Sequence, residues 1–277
     1  MIYCELHAHS DYSFLDGLNS IPLYVLTAKK LGFESIALTD HGNICGSYVF
    51  YKECKKQGLK PIIGAEVYIS DSKQEKLNQR HLILLVETQV GWKNLCNLIT
   101  IANLEGNDGS IFSRPKLTYK DLENFSEGLI ALTACSSGVL NYWFNQEEFS
   151  KSYAFERAEI ELIELKRIFQ DKVYIEIMPY EYGYEYQSKL IELGIKHQVD
   201  FVVTGDIHYA TKEDSDVHDA LIAAQYKKKI TDKVGFHDKM FYLKTERIIR
   251  SLLRKNHFYL TEDRKSTRLN SSHRIRT

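Results

Sequence analysis

Histidines and carboxylates occur in this sequence in pairs whose spacing suits metal binding. The first pair is His7 and His9, and a second is Asp206 and His208, each separated by one apolar residue. Residues two apart on a β-strand point to the same face and lie about 6.5–7 Å apart along it. Two such side chains can approach one ion, and imidazole and carboxylate are both ligands of Zn²⁺. The spacing alone is a weak signal, because a histidine at a strand end is more often a surface or core residue.

Further candidate ligands lie at or near other predicted strands. Glu66 is a carboxylate within an otherwise apolar strand, where burial without a cation or hydrogen-bond donors would be costly. The remaining candidates are Asp16 after the first strand, His41 and Cys135 at strand ends, and His81 at the start of a strand. Their coincidence at several strand ends is more informative than any one of them.

Short apolar, β-branched runs alternate with helical patterns along most of the chain. The candidate strands are residues 2–6, 35–39, 61–69, 81–87, 128–134, 173–178 and 201–204. The candidate helices are residues 21–31, 46–57, 91–104, 149–169 and 185–197. This alternation predicts a parallel sheet, and the number of repeats favours a (β/α) barrel over a doubly wound open sheet. In such barrels the C-terminal strand ends converge on the face that carries the chemistry.

The composition restricts the class of protein. The 277 residues include 36 Lys+Arg and 37 Asp+Glu, so any contact with nucleic acid has to be local rather than spread over a basic surface. No apolar run approaches the roughly 20 residues of a membrane span, and the N-terminus does not resemble a signal peptide. The five cysteines form no C-x-x-C pair. We therefore expect a cytoplasmic protein without a disulfide framework or a membrane partner.

Other catalytic signatures are missing from the sequence. It has no G-x-S-x-G elbow, no G-x-x-x-x-G-K-[ST] phosphate loop and no G-x-G-x-x-G fingerprint. Cys135 paired with a histidine is an alternative nucleophile, but metal ligation accounts for more of the pattern. A mixture of imidazole, carboxylate and thiolate suits Zn²⁺, Mn²⁺ or Fe better than Ca²⁺ or Mg²⁺ alone.

Four short motifs carry a family resemblance: His-Ala-His-Ser at 7–10, Thr-Asp-His-Gly at 39–42, Gly-Ala-Glu at 64–66 and Gly-Asp-Ile-His-Tyr at 205–209. They resemble the four motifs of the PHP (polymerase and histidinol phosphatase) superfamily. Residues 13–17, 32–42, 114–117 and 241–245 are also similar to the N-terminal PHP domains of bacterial C-family replicative polymerases, the DNA polymerase III alpha subunits. The resemblance extends from about residue 2 to residue 253.

The resemblance implies a distorted seven-stranded barrel with two to three divalent metal ions. It divides nine ligands among three sites: His7, His9, Glu66 and Asp206 at the first, Glu66 again with His81 and Cys135 at the second, and Asp16, His41 and His208 at the third. All nine positions hold competent ligands. The resemblance therefore implies an active phosphoesterase, with His9, Glu66 and Asp206 as catalytic residues. It would act as a 3′→5′ proofreading exonuclease on a DNA primer end, beside other replicase subunits.

Two alternatives remain open. A free-standing enzyme like histidinol phosphatase would share the four motifs and act on a small phosphomonoester, although the polymerase-like stretch at 241–245 argues against it. A catalytically silent PHP domain would keep its metals for stability and docking, although the complete ligand set argues against that.

The sequence also predicts a domain organisation. Residues 1–253 would form the PHP domain, and residues 254–263 would begin a following region that is truncated here, with the polymerase active site beyond residue 277. Residues 264–277, RKSTRLNSSHRIRT, resemble translated vector sequence and are interpreted as a non-native or disordered tail.

Several polar residues have roles that the sequence leaves open. Asp40 is expected either to orient a ligand or to cap a helix. Arg114, Lys116 and the lysines at 227–229 are weak candidates for contacts with a DNA backbone.

Overall fold

The computed structural model describes residues 3–73, 79–107, 114–180, 184–232 and 239–255. Seven strands form one curled sheet: β1 (Ser35–Leu38), β2 (Lys60–Ile69), β3 (Arg80–Val86), β4 (Lys116–Leu117), β5 (Leu129–Leu132), β6 (Val173–Ile177) and β7 (Phe201–Val203). The α-helices are α1 (Ile21–Lys30), α2 (Ser47–Gln57), α3 (Gln89–Glu105), α4 (Tyr119–Phe125), α5 (Asn141–Phe144), α6 (Lys151–Phe169), α7 (Tyr184–His197), α8 (Ser215–Gln225) and α9 (Glu246–Lys255). The expected tail at 264–277 lies outside the described residues.

The α/β class and the distorted barrel architecture are confirmed. The six strands predicted after residue 30 and the five predicted helices are all present, with ends within two residues of those expected. Local signals explain this accuracy. The side chain of Thr88 accepts a hydrogen bond from Gly91 N–H and begins α3, and Gly58 ends α2 with a left-handed φ of 71°. The short strand β4 and the helices α4, α5, α8 and α9 were not predicted from the sequence.

The N-terminal segment closes the sheet, although it is not the continuous strand expected at residues 2–6. Glu5 forms an isolated parallel bridge with Ile36 of β1, and Ala8 forms another with Ile207, which follows β7. The N–H of His9 donates to the carbonyl of Ile207 at 2.7 Å. The segment therefore connects the two outer parts of the sheet and completes the ring.

The expectation of an all-parallel sheet is wrong for β3. The pairs β1–β2, β5–β6 and β6–β7 are parallel, but β3 runs antiparallel to both β2 and β5. Only ten residues separate Ile69 from Arg80. A parallel crossover needs about a dozen residues or more, so the chain has to return beside β2 in the opposite direction. The first residues of β3 consequently lie next to the C-terminal end of β2.

The inside of the barrel is apolar at one end and polar at the other. One buried cluster is formed by side chains from several strands: Ile62, Ile83, Leu85, Ile130, Leu132 and Val202, with Cys4 and Leu6 of the N-terminal segment. Because side chains alternate along a strand, two-residue steps lead from Ile62 to Glu66 and from Leu85 to His81 on the same face. The polar residues therefore continue the inner face beyond the apolar core.

Candidate metal centre

Glu66 is the central residue of the polar end. It lies on β2 and is completely buried. His81 Nδ1 is 2.9 Å from Glu66 Oε1, and His41 Nδ1 is 2.8 Å from Oε2. The Nε2 atoms of His7 and His9 each lie 3.5 Å from one of its carboxylate oxygens. Four imidazoles from three segments of the chain therefore surround one carboxylate.

Asp206 is the second carboxylate of the cluster and follows the last strand. Its Oδ1 atom lies 3.1 Å from His7 Nε2 and 3.3 Å from His9 Nε2. The two imidazole nitrogens are themselves 3.1 Å apart. Asp206 has a left-handed φ of 46°, which is an unfavourable conformation for a residue other than glycine. Such backbone strain is typically retained where a side chain has to be aimed at a functional site.

Asp16 joins two further histidines. Its Oδ2 atom lies 2.9 Å from His41 Nε2 and 2.9 Å from His208 Nε2. The next residue, Gly17, packs so closely on the backbone that an added Cβ would lie 2.1 Å from the carbonyl oxygen of Ser10. Only glycine fits at this position, so the turn that presents Asp16 depends on it.

Cys135 completes the set of predicted residues. Its Sγ atom lies 3.7 Å from His81 Nδ1 and 3.9 Å from Glu66 Oε1. Burial, with the nearby carboxylates, raises the pKa of this thiol well above its ordinary value. A thiol in such surroundings needs a cation before it can ionise.

The structure brings all nine predicted residues to one place. Three groups have donor atoms within 4.8 Å of one another: His9, His41 and His208; His7, His9 and Glu66; and His41, Glu66 and His81. These groups could each hold a metal ion. The division of the nine residues into three specific sites, and their role as ligands, stays a prediction.

Several buried atoms of the cluster favour a cation. Within the described residues, Glu66 Oε2, Asp206 Oδ1, His41 Nδ1 and His81 Nε2 have no hydrogen bond of suitable geometry. Buried polar atoms normally form hydrogen bonds, and a buried carboxylate oxygen that lacks one is costly unless a cation lies nearby. Atoms that approach within about 3 Å without a shared hydrogen are arranged as ligands of a common ion would be. The mixture of nitrogen, oxygen and sulfur donors fits a divalent transition metal.

The charges within the cluster have clear physical causes. Burial alone would raise the pKa of Glu66, but the imidazoles of His81, His41 and His7 outweigh it and hold that pKa well below the ordinary value. Burial, together with the neighbouring His41, lowers the pKa of His9 to about 3. Neutral imidazole is the form that binds metals, so His9 is held in the ligating state.

Two residues that contact members of the cluster were not predicted from the sequence. Glu176 on β6 is buried, lies 2.9 Å from His7 Nδ1 and accepts a hydrogen bond from Thr204 Oγ1 at 2.6 Å. It carries the same signal as Glu66, a carboxylate within an apolar strand. His218 on α8 lies 2.9 Å from the main-chain oxygen of Asp16, and no local pattern in the sequence identified it.

Asp40 orients a candidate ligand and does not cap a helix. It accepts hydrogen bonds from Ser10 N–H at 2.7 Å and from Ser13 Oγ at 2.8 Å. Ser13 Oγ in turn lies 3.3 Å from His9 Nδ1. The residue that precedes α2 is Gly46, and no side chain caps that helix. Of the two roles that the sequence left open for Asp40, the geometry supports orientation of His9 through Ser13.

A cavity of about 780 Å³ lies over the cluster and is lined by Asp16, His41, Glu66, Asp206 and His208 among others. Arg114 lies at this cavity with its guanidinium carbon 5.2 Å from the ring centroid of Tyr68.

The basic candidates differ in exposure. Arg114 and the lysines at 227–229 are exposed, whereas Lys116 is only 2% exposed. Lys116 is therefore not available for contact with a DNA backbone. Among the described helices, none has both the length and the apolar composition needed to cross a membrane.

The chain is similar to known proteins in sequence and in fold. The family model for the PHP domain matches residues 5–180. The DNA polymerase III subunit alpha of Borreliella burgdorferi is 36% identical over 257 residues, which cover 88% of this chain and 21% of that protein. The subunit of the same name from Aquifex aeolicus is 37% identical over 243 residues, which cover 82% of this chain and 20% of that protein. The chain thus spans about a fifth of the length of these relatives.

Among solved structures, a protein from Bifidobacterium adolescentis is similar in fold. It is named as a metal-dependent phosphoesterase, and it matches with a TM-score of 0.51 and 11% sequence identity. The match covers 91% of this chain and 96% of that one. At this identity the likeness shows a shared fold.

Proposed function

Because this chain belongs to the PHP domain family, we propose that it is the PHP domain of a bacterial DNA polymerase III alpha subunit and hydrolyses phosphodiesters at a DNA 3′ end. The observation that carries the proposal is the convergence of nine metal-competent side chains, with Glu66 at their centre. A domain kept only for docking would not need to retain every member of such a set. Similarity to polymerase subunits over more than 80% of this chain supports the choice of DNA as substrate.

The residues of the cluster would hold two to three divalent ions of Zn, Mn or Fe. The proposed ligand sets are His7, His9, Glu66 and Asp206; Glu66, His81 and Cys135; and Asp16, His41 and His208. When bound, such metals would lower the pKa of a water molecule toward neutral pH and would neutralise the charge on phosphate oxygens. His9, Glu66 and Asp206 are the proposed catalytic residues, as the family resemblance implies, and His9 lies within 3.5 Å of both carboxylates.

Other residues of the chain would prepare the site for this chemistry. Glu176 holds His7 in a fixed orientation through a direct contact. Asp40 orients His9 through Ser13. Such outer contacts keep a ligand in its binding geometry before the metal arrives. Arg114, exposed at the cavity, offers a charged fork that matches a phosphate group. The nearly neutral charge of the chain predicts weak, salt-sensitive binding of DNA.

The domain would belong to a longer protein that works with other subunits. Residues 1–253 would form the PHP domain and residues 254–263 would begin a following region. The replicase subunits would be its partners in the cytoplasm, and the polymerase active site would lie in the longer protein.

The deciding experiment compares two substrates for the same preparation. We expect kcat/KM on a primer with a mismatched 3′ nucleotide to exceed that on histidinol phosphate by at least tenfold, at matched metal and low salt. Tenfold corresponds to about 1.4 kcal/mol of transition-state binding. A tenfold preference for the monoester would instead favour a phosphatase. A fully metal-loaded chain that hydrolyses neither substrate would favour the silent docking domain.

A further inference from the structure

Phe14 is exposed at the edge of the candidate metal centre. With 80% of its surface accessible, it is the most exposed large apolar side chain among the described residues. It also lines the cavity that contains Asp16 and His41. A single exposed apolar residue on an outer helix needs no explanation, but an aromatic ring held at the mouth of a polar site does.

The position of Phe14 is fixed by residues of the cluster. On one side, Ser13 Oγ donates a hydrogen bond to Asp40 at 2.8 Å. On the other side, Asp16 lies 2.9 Å from two histidines of the candidate metal centre. Leu15 between them has a left-handed φ of 60°, an unfavourable conformation that the surrounding contacts maintain. The backbone at Phe14 is therefore fixed by the same turn that presents Asp16, and the ring of Phe14 extends into the solvent.

The spacing between Phe14 and Asp16 suits a nucleotide. Two peptide units separate their Cα atoms by at most about 7.6 Å, and both residues line the same cavity. Every nucleobase has a flat π-face that can stack on an aromatic side chain without sequence preference. A phosphodiester at the cluster would place the attached base within reach of the Phe14 ring.

We propose that Phe14 is a stacking platform for the unpaired base of the 3′-terminal nucleotide. This inference rests on the proposed function, because it takes the phosphodiester of that nucleotide to lie at the metal cluster. A base that is paired remains stacked in its duplex, whereas a mismatched terminal base is free to move onto the ring. Phe14 would therefore contribute to selection of frayed 3′ ends.

Binding of labelled single strands by the intact chain tests the inference. The probes are 5′-fluorescein oligonucleotides that end in either dT or an abasic residue, with a terminal phosphorothioate linkage to prevent cleavage. In Mn²⁺ at low salt, the wild-type chain should bind the dT end about 5- to 150-fold more tightly, which is a stacking free energy of about 1–3 kcal/mol. Phe14→Ala and Phe14→Leu should lose this ratio, and Phe14→Trp should keep it.

Tyr48 provides the matched control. It is 70% exposed on α2, with Lys52 Nζ 5.4 Å from its ring centroid, and it is not one of the described residues that line the cavity. Tyr48→Ala should therefore keep the wild-type ratio. The metal content of every variant is measured by elemental analysis, so that damage to the turn of Asp16 is recognised.

Each outcome separates this inference from the proposed function. An equal affinity of the wild type for both ends, or an unchanged ratio in Phe14→Ala, would overturn the stacking role. An equal loss of affinity for both ends in that variant would also overturn it, because it would indicate a disturbed cluster. A lost ratio together with no hydrolysis of unmodified DNA by the wild type would uphold stacking and contradict the exonuclease.

Discussion

Glu66 and His81 are diagonal neighbours across the antiparallel pair of β2 and β3, with His81 Nδ1 2.9 Å from Glu66 Oε1. Glu66 lies near the C-terminal end of its strand, whereas His81 lies at the beginning of its own. The register of the pair places His81 opposite Tyr68, two residues beyond Glu66. The reversed direction of β3 is thus what brings a residue from the start of a strand to the polar end of the barrel.

Replacing Glu66 with Gln should remove metal from the centre. The amide keeps the size of the side chain but not the negative charge that four imidazoles surround. We expect Glu66→Gln to lose at least one ion per chain and to lower kcat/KM at least 100-fold, which is about 2.7 kcal/mol. Elemental analysis after purification without chelators checks the metal content. The control is Glu53, which forms an ion pair with the exposed Lys56. Glu53→Gln should retain the metal content of the wild type.

Replacing Glu176 with Gln should weaken metal binding without removing a proposed ligand. Glu176 fixes the orientation of His7 through a 2.9 Å contact with its Nδ1 atom. Loss of such an outer carboxylate typically costs about 10–100-fold in metal affinity. Competition with a chromophoric chelator measures the change. Glu164→Gln, on the outer surface of α6, should have the affinity of the wild type, and equal affinities for both variants would contradict the role of Glu176.

Replacing His9 with Ala should abolish hydrolysis while most of the fold remains. His9 lies within 3.5 Å of both Glu66 and Asp206, outside the apolar clusters of the core. Its loss leaves these carboxylates with less compensation, so some destabilisation is expected. Turnover is measured after exhaustive removal of wild-type contamination, with folding checked by circular dichroism. His197→Ala, which alters a histidine at the end of α7, should retain full turnover.

Addition of metal should stabilise the folded chain. An ion that binds only the native state at 100 times its Kd contributes about 2.7 kcal/mol to the free energy of unfolding. For a domain of this size we expect Tm to rise by about 5–11 °C when Zn²⁺ or Mn²⁺ is added to chelator-treated protein. Differential scanning calorimetry measures the shift. Glu66→Gln should show a smaller rise, and an identical rise in that variant would place the stabilising ion elsewhere.

Replacing Arg80 with Met should destabilise the barrel beside the centre. Its guanidinium is completely buried, lies 3.4 Å from Glu161 Oε1 and packs against the ring of Trp143. The variant leaves the Glu161 carboxylate buried without its cation, and breaking such a pair costs about 3–5 kcal/mol. We expect Tm to fall by about 6–20 °C. Arg167→Met, which breaks exposed ion pairs with Glu123 and Glu164, should change the free energy of unfolding by less than about 1 kcal/mol.

Local patterns were sufficient to predict most elements and to select the residues of the cluster. The pairs His7–His9 and Asp206–His208 combine a chemical type with the two-residue period of a strand, so short stretches of sequence contain the whole signal. Glu66 stood out because a carboxylate within an apolar strand needs a partner. Glu176 carries the same signal, but nothing near it in the sequence indicates that its partner is His7, 169 residues away.

Tertiary structure alone decided how these side chains meet. Residue types and periodicity determine that strands form and which side chains share a face, but not which strands are neighbours or in which direction they run. Those choices depend on contacts between distant segments, such as the closure of the ring by Ala8 and Ile207. They also depend on connection length, which reverses β3 and turns His81 toward Glu66. The sequence therefore determined the chemistry available to this protein, and the packing of the barrel determined its geometry.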